Sequence, residues 1–523
     1  MVLEASDIEK RFDICFDPSE KNFITGQTIY FYCTSPFMVY CERFVSEDKK
    51  DPEPEYQKML FEQSRLHKQC IIEKRYGKSE EIEFKSRENG FKILLESMNK
   101  AIDILCRLPA FYMPENLMGT FDILEKCSTE KSVFGDYHYV VKTITTSKKK
   151  NIEKKHKDLI CKGAFYNYLL GKIQRYTPPF FYLIDRNNEE LSIEYKKYRT
   201  SLRKVRTEIK KIYAGMEVTP TYNACVWSWK TYNNEKAVKT NDISLICDVG
   251  KGRKEKFVKA GINTVGDVAL GTIDELAKAL ETGGRKRVKK FRCRAKALIS
   301  NTVIPIEECN FTEKELKESK TDEIEEKIKK IKEGKGLEIF LDFEYINEQI
   351  YFCKSVKINY LIGVVTRKAG KVEYIPFIAH QMDEEREMFY QFVEWLLKQK
   401  DFTLYHWSST EETKLKNLSD NYELSHDIKK IMKTICENMI DLRKVAENTM
   451  VFPTFGYSLK DIGNYIGYEW RQADVGANEC TALYLQYIET PKKKKKLQKI
   501  LDYTEDDCRA TMHVKDWLKE NIP

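Results

Sequence analysis

Residues Leu337–Tyr345 read LEIFLDFEY, an apolar run carrying two acids, Asp342 and Glu344, with Phe343 between them. Its aromatic and branched residues are those of a strand. Residues two apart on a strand share a side, so both carboxylates project together while Leu341, Phe343 and Tyr345 face the opposite layer. Two ionised carboxylates side by side repel each other and resist desolvation, and something must compensate them. A divalent cation does so economically, since Mg²⁺ is bound through one or two carboxylates together with substrate phosphate oxygens. The plainer alternative is an edge strand whose acids face water, and the stretch alone does not choose between them.

Further along lie two more apolar runs, YLIGVV (Tyr360–Val365) and VEYIPFIA (Val372–Ala379), separated by RKAGK with the glycine expected of a hairpin turn. An amphipathic helical pattern, EEREMFYQFVEWLLKQ, then a short strand, FTLYHW, and a helix start at SSTEETKL follow. Near the end, KILDYTEDDCRATMHVKDWL has a helical apolar pattern that sets Tyr503 and Asp507 at i and i+4, on one face. An exposed helix acid is the commoner fate of any Asp, yet DxE on a first strand with YxxxD on a late helix is far more specific than either piece.

The order of a three-stranded meander, helix, strand and then mostly helices is that of an RNase H-like domain. With these motifs the segment from Gly336 onward resembles the DEDD-type exonucleases of the RNase H-like superfamily, in the variant with Tyr before the last Asp. The resemblance includes IDLRKV (Ile440–Val445) and YSLKDIGNYIG (Tyr457–Gly467). It implies two Mg²⁺ or Mn²⁺ ions about 3.5–4 Å apart, one activating water and one stabilising the departing oxygen. Asp342 would bridge both ions, Glu344 and Asp507 would complete the first site, and Tyr503 would orient the attacking water. For the remaining carboxylate, Glu411 after FTLYHW is the choice and Glu412 the alternative; either departs from the Asp that many members have there. Asp441 reads as a local cap or pairing group and Asp506 as solvent-facing, while His406 and His513 have no partner spacing that argues for a role.

The N-terminal part carries a second resemblance. SPFMVYCERF, EQSRLHKQCIIEK with His67, LMGTFD with Gly119 and Asp122, and CKGAFYNYLLGKI with Tyr166 are similar in order and spacing to RecB-like nucleases of the PD-(D/E)XK class. Asp122 matches the first metal-binding position of that class. If Lys142 is the motif lysine, Val140 stands where an acid belongs; shifted by two, Lys142 itself replaces the acid. Lys162 likewise occupies the usual Gln position before Tyr166. This domain is expected to be catalytically inactive, a degenerate site marked by His67, Asp122, Lys142 and Tyr166. The ExK of Glu153–Lys155 lies in a lysine-rich segment and reads as a solvated loop. Many RecB-like nucleases also hold an iron–sulfur cluster through four Cys. Here Cys33 or Cys41 and Cys225 have only Tyr222 and Thr231 at companion spacings, so no cluster is expected and these Cys read as small buried residues.

Between the two, LICDVGKGRKEKFVKAGINTVGDVA resembles a helix-hairpin-helix. Gly250 and Gly252 would form a tight hairpin whose N–H groups face a phosphate, with Lys251, Arg253 and Lys254 adding charge. The plainer alternative for this segment is a helical hairpin that only connects domains. GGRKRVKKFRCRAK (Gly283–Lys296), the strongest basic cluster, sits close by.

The expected architecture is α/β and multidomain. Residues 1–238 form the RecB-like domain, 239–305 the helix-hairpin-helix module, 306–335 a charged, solvated helical linker, and 336–523 an RNase H-like mixed sheet flanked by helices. A chain of 523 residues exceeds one core, and 42% hydrophobic content suffices to build several. A net charge of +8 permits nucleic acid as partner without demanding it. No apolar window spans a bilayer and the N-terminus is too polar for a signal peptide, so an intracellular protein, cytoplasmic or nuclear, without membrane contact is expected. Fifteen irregularly spaced Cys suit a reducing compartment better than a disulfide framework. Function narrows to a 3'-to-5' exonuclease with single-stranded DNA favoured over RNA and a helicase or repair or recombination protein as possible company. The contrasting reading is a non-catalytic scaffold in which both nuclease-like domains are only nucleic-acid-binding surfaces.

Overall fold

A computed structural model describes residues 5–16, 22–77, 83–282, 284–319, 321–334, 336–472, 475–492 and 494–522. Gly283, Lys320, Lys335 and Lys493, which fall in the basic cluster, the linker and the lysine run, lie outside the described residues. Two compact units emerge, one from the described residues of Met1–Glu53, Lys58–Asn234 and Ile350–Ser355, the other from Pro54–Gln57, Glu235–Gln349 and Val356–Pro523.

In the first unit, helices α1 (Ala5–Cys15) and α2 (Glu55–Tyr76) precede a five-stranded sheet of β1 (Ile104–Cys106), β2 (Ile123–Cys127), β3 (His138–Ile144), β4 (Phe180–Ile184) and β5 (Glu190–Glu194), in that spatial order. All neighbours are antiparallel except β3 and β4, which run parallel and therefore need a crossover. That crossover is α3 (Lys157–Gln174), whose Ala164, Phe165, Leu169 and Ile173 join the core with Val141 and Leu183 of the sheet. The unit closes with α4 (Lys196–Tyr213). Glu153–Lys155, expected in a loop, belong to a helix, Lys149–Lys155, because the lysine-rich run continues without a breaker.

The second unit begins with short helices, α5 (Lys251–Lys259), α6 (Val265–Leu270) and α7 (Ile273–Ala279), then α8 (Arg285–Ser300). The charged segment expected to be a solvated connector is packed instead. Its helix α9 (Asp322–Glu333) is capped by Thr321, ends at Gly334 in the left-handed region, and buries Ile324 and Ile331, the latter in the same core as Val514 and Leu518. Two isoleucines seven residues apart on a helix make an apolar stripe, enough to dock it.

Next come β6 (Leu337–Tyr351), β7 (Lys354–Lys368), β8 (Lys371–Ile378), α10 (Glu385–Leu397), β9 (Phe402–His406), α11 (Ser409–Asn421), α12 (His426–Asn438) and β10 (Ile440–Asp441), then α13 (Leu442–Thr449), α14 (Leu459–Tyr465), α15 (Ala477–Glu489) and the long α16 (Lys494–Asn521). The sheet order is β8-β7-β6-β9-β10, with β7 and β8 antiparallel and β9 parallel to both β6 and β10. The β7–β8 hairpin turns on Ala369 and Gly370, both at positive φ, the geometry that matches strand twist in a two-residue loop.

Helix α16 lies close against the sheet because β7 carries Gly363. A Cβ at Gly363 would meet Thr504 Cγ2 at 2.4 Å. About three turns further along α16, a charge knot fixes it: Arg367 of β7 bonds Glu338 of β6 at 2.6 Å and Asp516 at 2.6 and 2.7 Å, and Lys515 pairs with Glu338 at 2.5 Å.

Two disulfides close, Cys70–Cys353 within the first unit and Cys293–Cys309 within the second. These correct the expectation of free thiols throughout; a separation of 283 residues in the first pair leaves no spacing signature. Cys41 and Cys225 lie buried in one apolar cluster with Phe37, Met38 and Trp229. Among the described residues no helix is long and apolar enough to cross a membrane.

Candidate metal centre

Strand β6 holds Asp342 and Glu344 on one side, and α16 lays Asp507 against them. Each offers a carboxylate oxygen within 4.8 Å of the others. Among the described residues no Lys or Arg forms an ion pair with any of the three. Burial and then the neighbouring charges of Asp507, Glu344 and Glu411 push the Asp342 carboxyl well above its ordinary range. Burial and then Asp507 do the same to Glu344. Asp507 is also raised by burial, opposed by hydrogen bonds from Trp470 and Tyr503.

Polar neighbours hold these acids in place. Trp470 Nε1–H donates to Asp507 Oδ1 at 2.7 Å, and the buried Tyr360 hydroxyl donates to Glu344 Oε2 at 3.4 Å. Tyr360 is itself stacked on Tyr484, ring centroids 4.1 Å apart. Tyr503 is buried, one turn before Asp507, and burial followed by the acids' charge keeps its hydroxyl protonated. The Lys460 ammonium sits 5.3 Å from the Tyr503 ring centroid while donating to the Val475 carbonyl at 2.7 Å. Trp470, Tyr360 and Lys460 escaped the sequence reading. Trp470 lies in an irregular loop with no periodicity, and Tyr360 looks like any core residue of a strand.

Glu411 sits apart from the three-acid group. At the start of α11 it is buried, with Oε2 at 3.4 Å from both His406 Nδ1 and Ser408 Oγ. Its charge still reaches Asp342. His406, without a sequence-derived role, is thus the partner of Glu411. Ser408 bends the chain between β9 and α11 at φ 94, with its N–H donating to Asp441 Oδ1 at 3.1 Å. Asp441 also caps α13 through the Lys444 N–H, a local role. Glu412 pairs with Lys416 on its own helix. Asp506, expected to face solvent, is 2% exposed and accepts from Arg471 N–H and Nε–H at 2.9 and 2.7 Å. The loop carrying Trp470 and Arg471 folds over α16, covering two faces of the helix at once. His513 lies near the Ile466 carbonyl.

The acids of the first unit are arranged differently. Asp122, just before β2, accepts from Lys68 Nζ at 2.7 Å and from the Ile144 N–H at 2.9 Å. Lys142 on β3, its side chain 9% exposed, pairs with Glu125 at 2.9 Å and Glu190 at 3.0 Å. Glu125 lies across from Val140 in the ladder, so an acid does stand near the position that Val140 leaves apolar, contributed by the adjacent strand. Lys162 is held below its ordinary range by burial and by Lys68. His67 is buried with neither ring nitrogen hydrogen-bonded, and burial with nearby Arg186 and Lys74 holds its imidazole below its ordinary range. Tyr166 fills space left by Gly26 and Gly119, where Cβ atoms would come within 2.4 Å of its hydroxyl and 2.9 Å of its ring, respectively.

At the start of α5, Gly250, Lys251 and Gly252 are exposed. Arg253 donates to the Asp248 carbonyl at 2.6 Å. Lys254 is not available to a ligand: it is 6% exposed and paired with Asp242 at 2.6 Å, because helical spacing turns it inward.

Comparison with the curated proteins and with the solved structures gave no match. Residues 339–519 match the RNase_H_2 family of the RNase H superfamily. That span starts inside β6 and ends inside α16, and so encloses the five-stranded sheet and the whole acid cluster. RNase H-like nucleases hydrolyse nucleic acid with divalent metals, and the donor set of three clustered carboxylates, none ion-paired to a Lys or Arg among the described residues, fits such an ion. The C-terminal part of the chain is therefore an RNase H-like domain.

Proposed function

We propose that this domain is a 3'-to-5' exonuclease that removes nucleotides from single-stranded DNA, and that the first unit contributes binding without cutting. The observation that carries the reading is the group of Asp342, Glu344 and Asp507, held together at the cost of mutual repulsion and with no Lys or Arg ion-paired to it among the described residues. Two Mg²⁺ or Mn²⁺ ions held there by Asp342, Glu344 and Asp507, with Glu411 reached through water, would supply the charge that activates water and stabilises the departing oxygen.

The chain's own groups do the rest. Tyr503, protonated, offers a hydroxyl that orients the attacking water. Trp470 fixes the rotamer of Asp507, and Tyr360 that of Glu344. Exposed Gly250, Lys251 and Gly252 and partly exposed Arg253 offer N–H groups and charge to a phosphate backbone. In the first unit, Asp122, Glu125 and Glu190 are already neutralised by lysines, which supports a retired site around His67, Asp122, Lys142 and Tyr166.

The test is incubation of the full chain with single-stranded DNA or RNA labelled at the 5' end, with Mg²⁺, Mn²⁺ or EDTA, beside Asp342→Ala. The expected result is a metal-dependent ladder shortened from the 3' end and absent in the variant. Binding without cutting by either protein would instead establish the scaffold reading, which draws on the pairing of Glu411 with His406. Cutting that survives the substitution would return the activity to the first unit.

A further inference from the structure

The nuclease reading leaves unused the most basic helix of the first unit. α4, KKYRTSLRKVRTEIKKIY, has eight Lys and Arg against a single acid, Glu208. Leu202, Arg206, Ile209 and Ile212 face the core, which leaves Lys196, Arg199, Arg203 and Lys210 exposed on another side. Their spacing of three, four and seven residues keeps them along one stripe, ~21 Å long at 1.5 Å per residue.

The stripe borders two adjoining clefts of about 810 and 750 Å³, which share Tyr168, Tyr195, Lys196 and Arg199. Arg175, exposed just past the end of α3, extends the charge into the larger cleft, and Phe180, 43% exposed, lies in its wall. The clefts contain two acids, and both are already satisfied. Glu115 is paired with Lys172 at 2.6 Å and with Arg206, and accepts from the Tyr168 hydroxyl at 2.9 Å; Glu194 is paired with Lys197 at 3.1 Å. By contrast Arg175, Lys196, Arg199, Arg203 and Lys210 have no ion-pair partner among the described residues. Five exposed cations without counter-charge repel one another, and a polyanion relieves that repulsion.

We propose that this double cleft is a second nucleic-acid site, one that holds an unpaired strand and does not cut it. Arg175, Lys196, Arg199, Arg203 and Lys210 take the phosphates, and Phe180 gives a base a face to stack on. A row of cations beside an exposed aromatic in a concave wall suits unstacked bases, which a duplex keeps inside. The apolar side of α4 is spent on the core, so the helix has no apolar face to lay into a lipid surface. The inference goes beyond the exonuclease reading, and its test needs no catalysis.

The test is a fluorescence-anisotropy titration of labelled oligothymidylate, oligouridylate and a DNA duplex with the full chain in EDTA, over a salt series. The triple variant Lys196→Glu, Arg199→Glu, Arg203→Glu is expected to bind either single strand at least tenfold more weakly. Its slope of log K against log salt should fall by about 2, at ~0.7 for each phosphate released. Phe180→Ala should weaken single-strand binding about fivefold or more and leave duplex binding as it was. A triple glutamine variant at the same positions reads the charge effect should the glutamates lower the melting temperature. Unchanged affinity and slope in a triple variant that melts like the parent would overturn the proposal, as would equal losses for duplex and single strand in Phe180→Ala. The relative affinities for the two homopolymers tell DNA from RNA.

Discussion

Two groups of acids lie in this chain, one in each unit, and they handle the same electrostatic problem in opposite ways. Around β2 and β3 each carboxylate has a cation of the protein beside it: Lys68 for Asp122, Lys142 for Glu125 and Glu190. Around β6 and α16 the carboxylates of Asp342, Glu344 and Asp507 have hydrogen-bond donors, each other and the more distant charge of Lys460, which forms no ion pair with them. Internal neutralisation removes any call for an ion, whereas an unneutralised buried cluster binds protons or metal. What separates the two groups is therefore the absence of a direct lysine ion pair as much as the presence of acids.

The contrast is broken most severely by moving a lysine across. Glu344→Lys sets an ammonium among the acids, and nuclease activity should fall by at least ~10³-fold, with divalent-ion binding lost in calorimetry. Glu344→Gln separates loss of a ligand from gain of a cation: it should retain weak ion binding that the lysine variant lacks. Next in size, Tyr503→Phe should lower kcat by ~10²-fold with little change in KM, as expected of a hydroxyl that acts on the attacking water and not on substrate affinity. Trp470→Phe keeps the ring and loses the N–H that orients Asp507, for a fall of ~10-fold or more, with weaker metal affinity in the same titration.

Two milder measurements sharpen the comparison through stability. Lys142→Met leaves Glu125 without its cation and Glu190 with Arg75 alone. Because both acids are part-exposed, the loss should be moderate, roughly 1–3 kcal/mol in urea unfolding, and Mn²⁺ should recover part of it. In the other unit the sign with pH is set by the raised carboxyls. Folding lifts Asp342, Glu344 and Asp507 above their unfolded values, so the folded chain binds more protons. Their contribution is fully present below the ordinary carboxylate range near pH ~4 and is lost as pH rises through the folded values. In EDTA the melting temperature should thus decline with rising pH more steeply than in Asp342→Asn, and Mg²⁺ should remove the decline.

Strand and helix periodicity made the second unit's site readable. Asp342 and Glu344 are bound to share a side, and Tyr503 and Asp507 a helix face, whatever packs around them. The hairpin at Ala369 and Gly370 was equally local. Residues whose position depends on tertiary closure were not readable: Trp470 reaches Asp507 from an irregular loop, and Arg471 buries Asp506, which helical wheel logic alone turns to water. Glu411 follows β9 and its charge reaches Asp342, yet it stands outside the three-acid group and pairs with His406, a neighbour that no spacing announced. In the first unit, Val140 is apolar where the resemblance calls for an acid, and Glu125 across the ladder and Lys68 on a distant helix are contacts that only the folded sheet reveals. The disulfide between Cys70 and Cys353 and the docking of α9 through two isoleucines belong to the same class.

The charge knot of Arg367, Glu338, Lys515 and Asp516, with the close seat of Thr504 on Gly363, ties α16 to β6 and β7 at two heights. In hydrogen-exchange terms these three elements should open as one cooperative block, their amides exchanging only in the rarest, largest openings. Asp342, Glu344, Tyr503 and Asp507 all lie on that block. Glu411 and Trp470, on an adjoining helix and a loop, belong to parts free to exchange earlier, so the acids that repel one another are carried by the segment least able to let them drift apart.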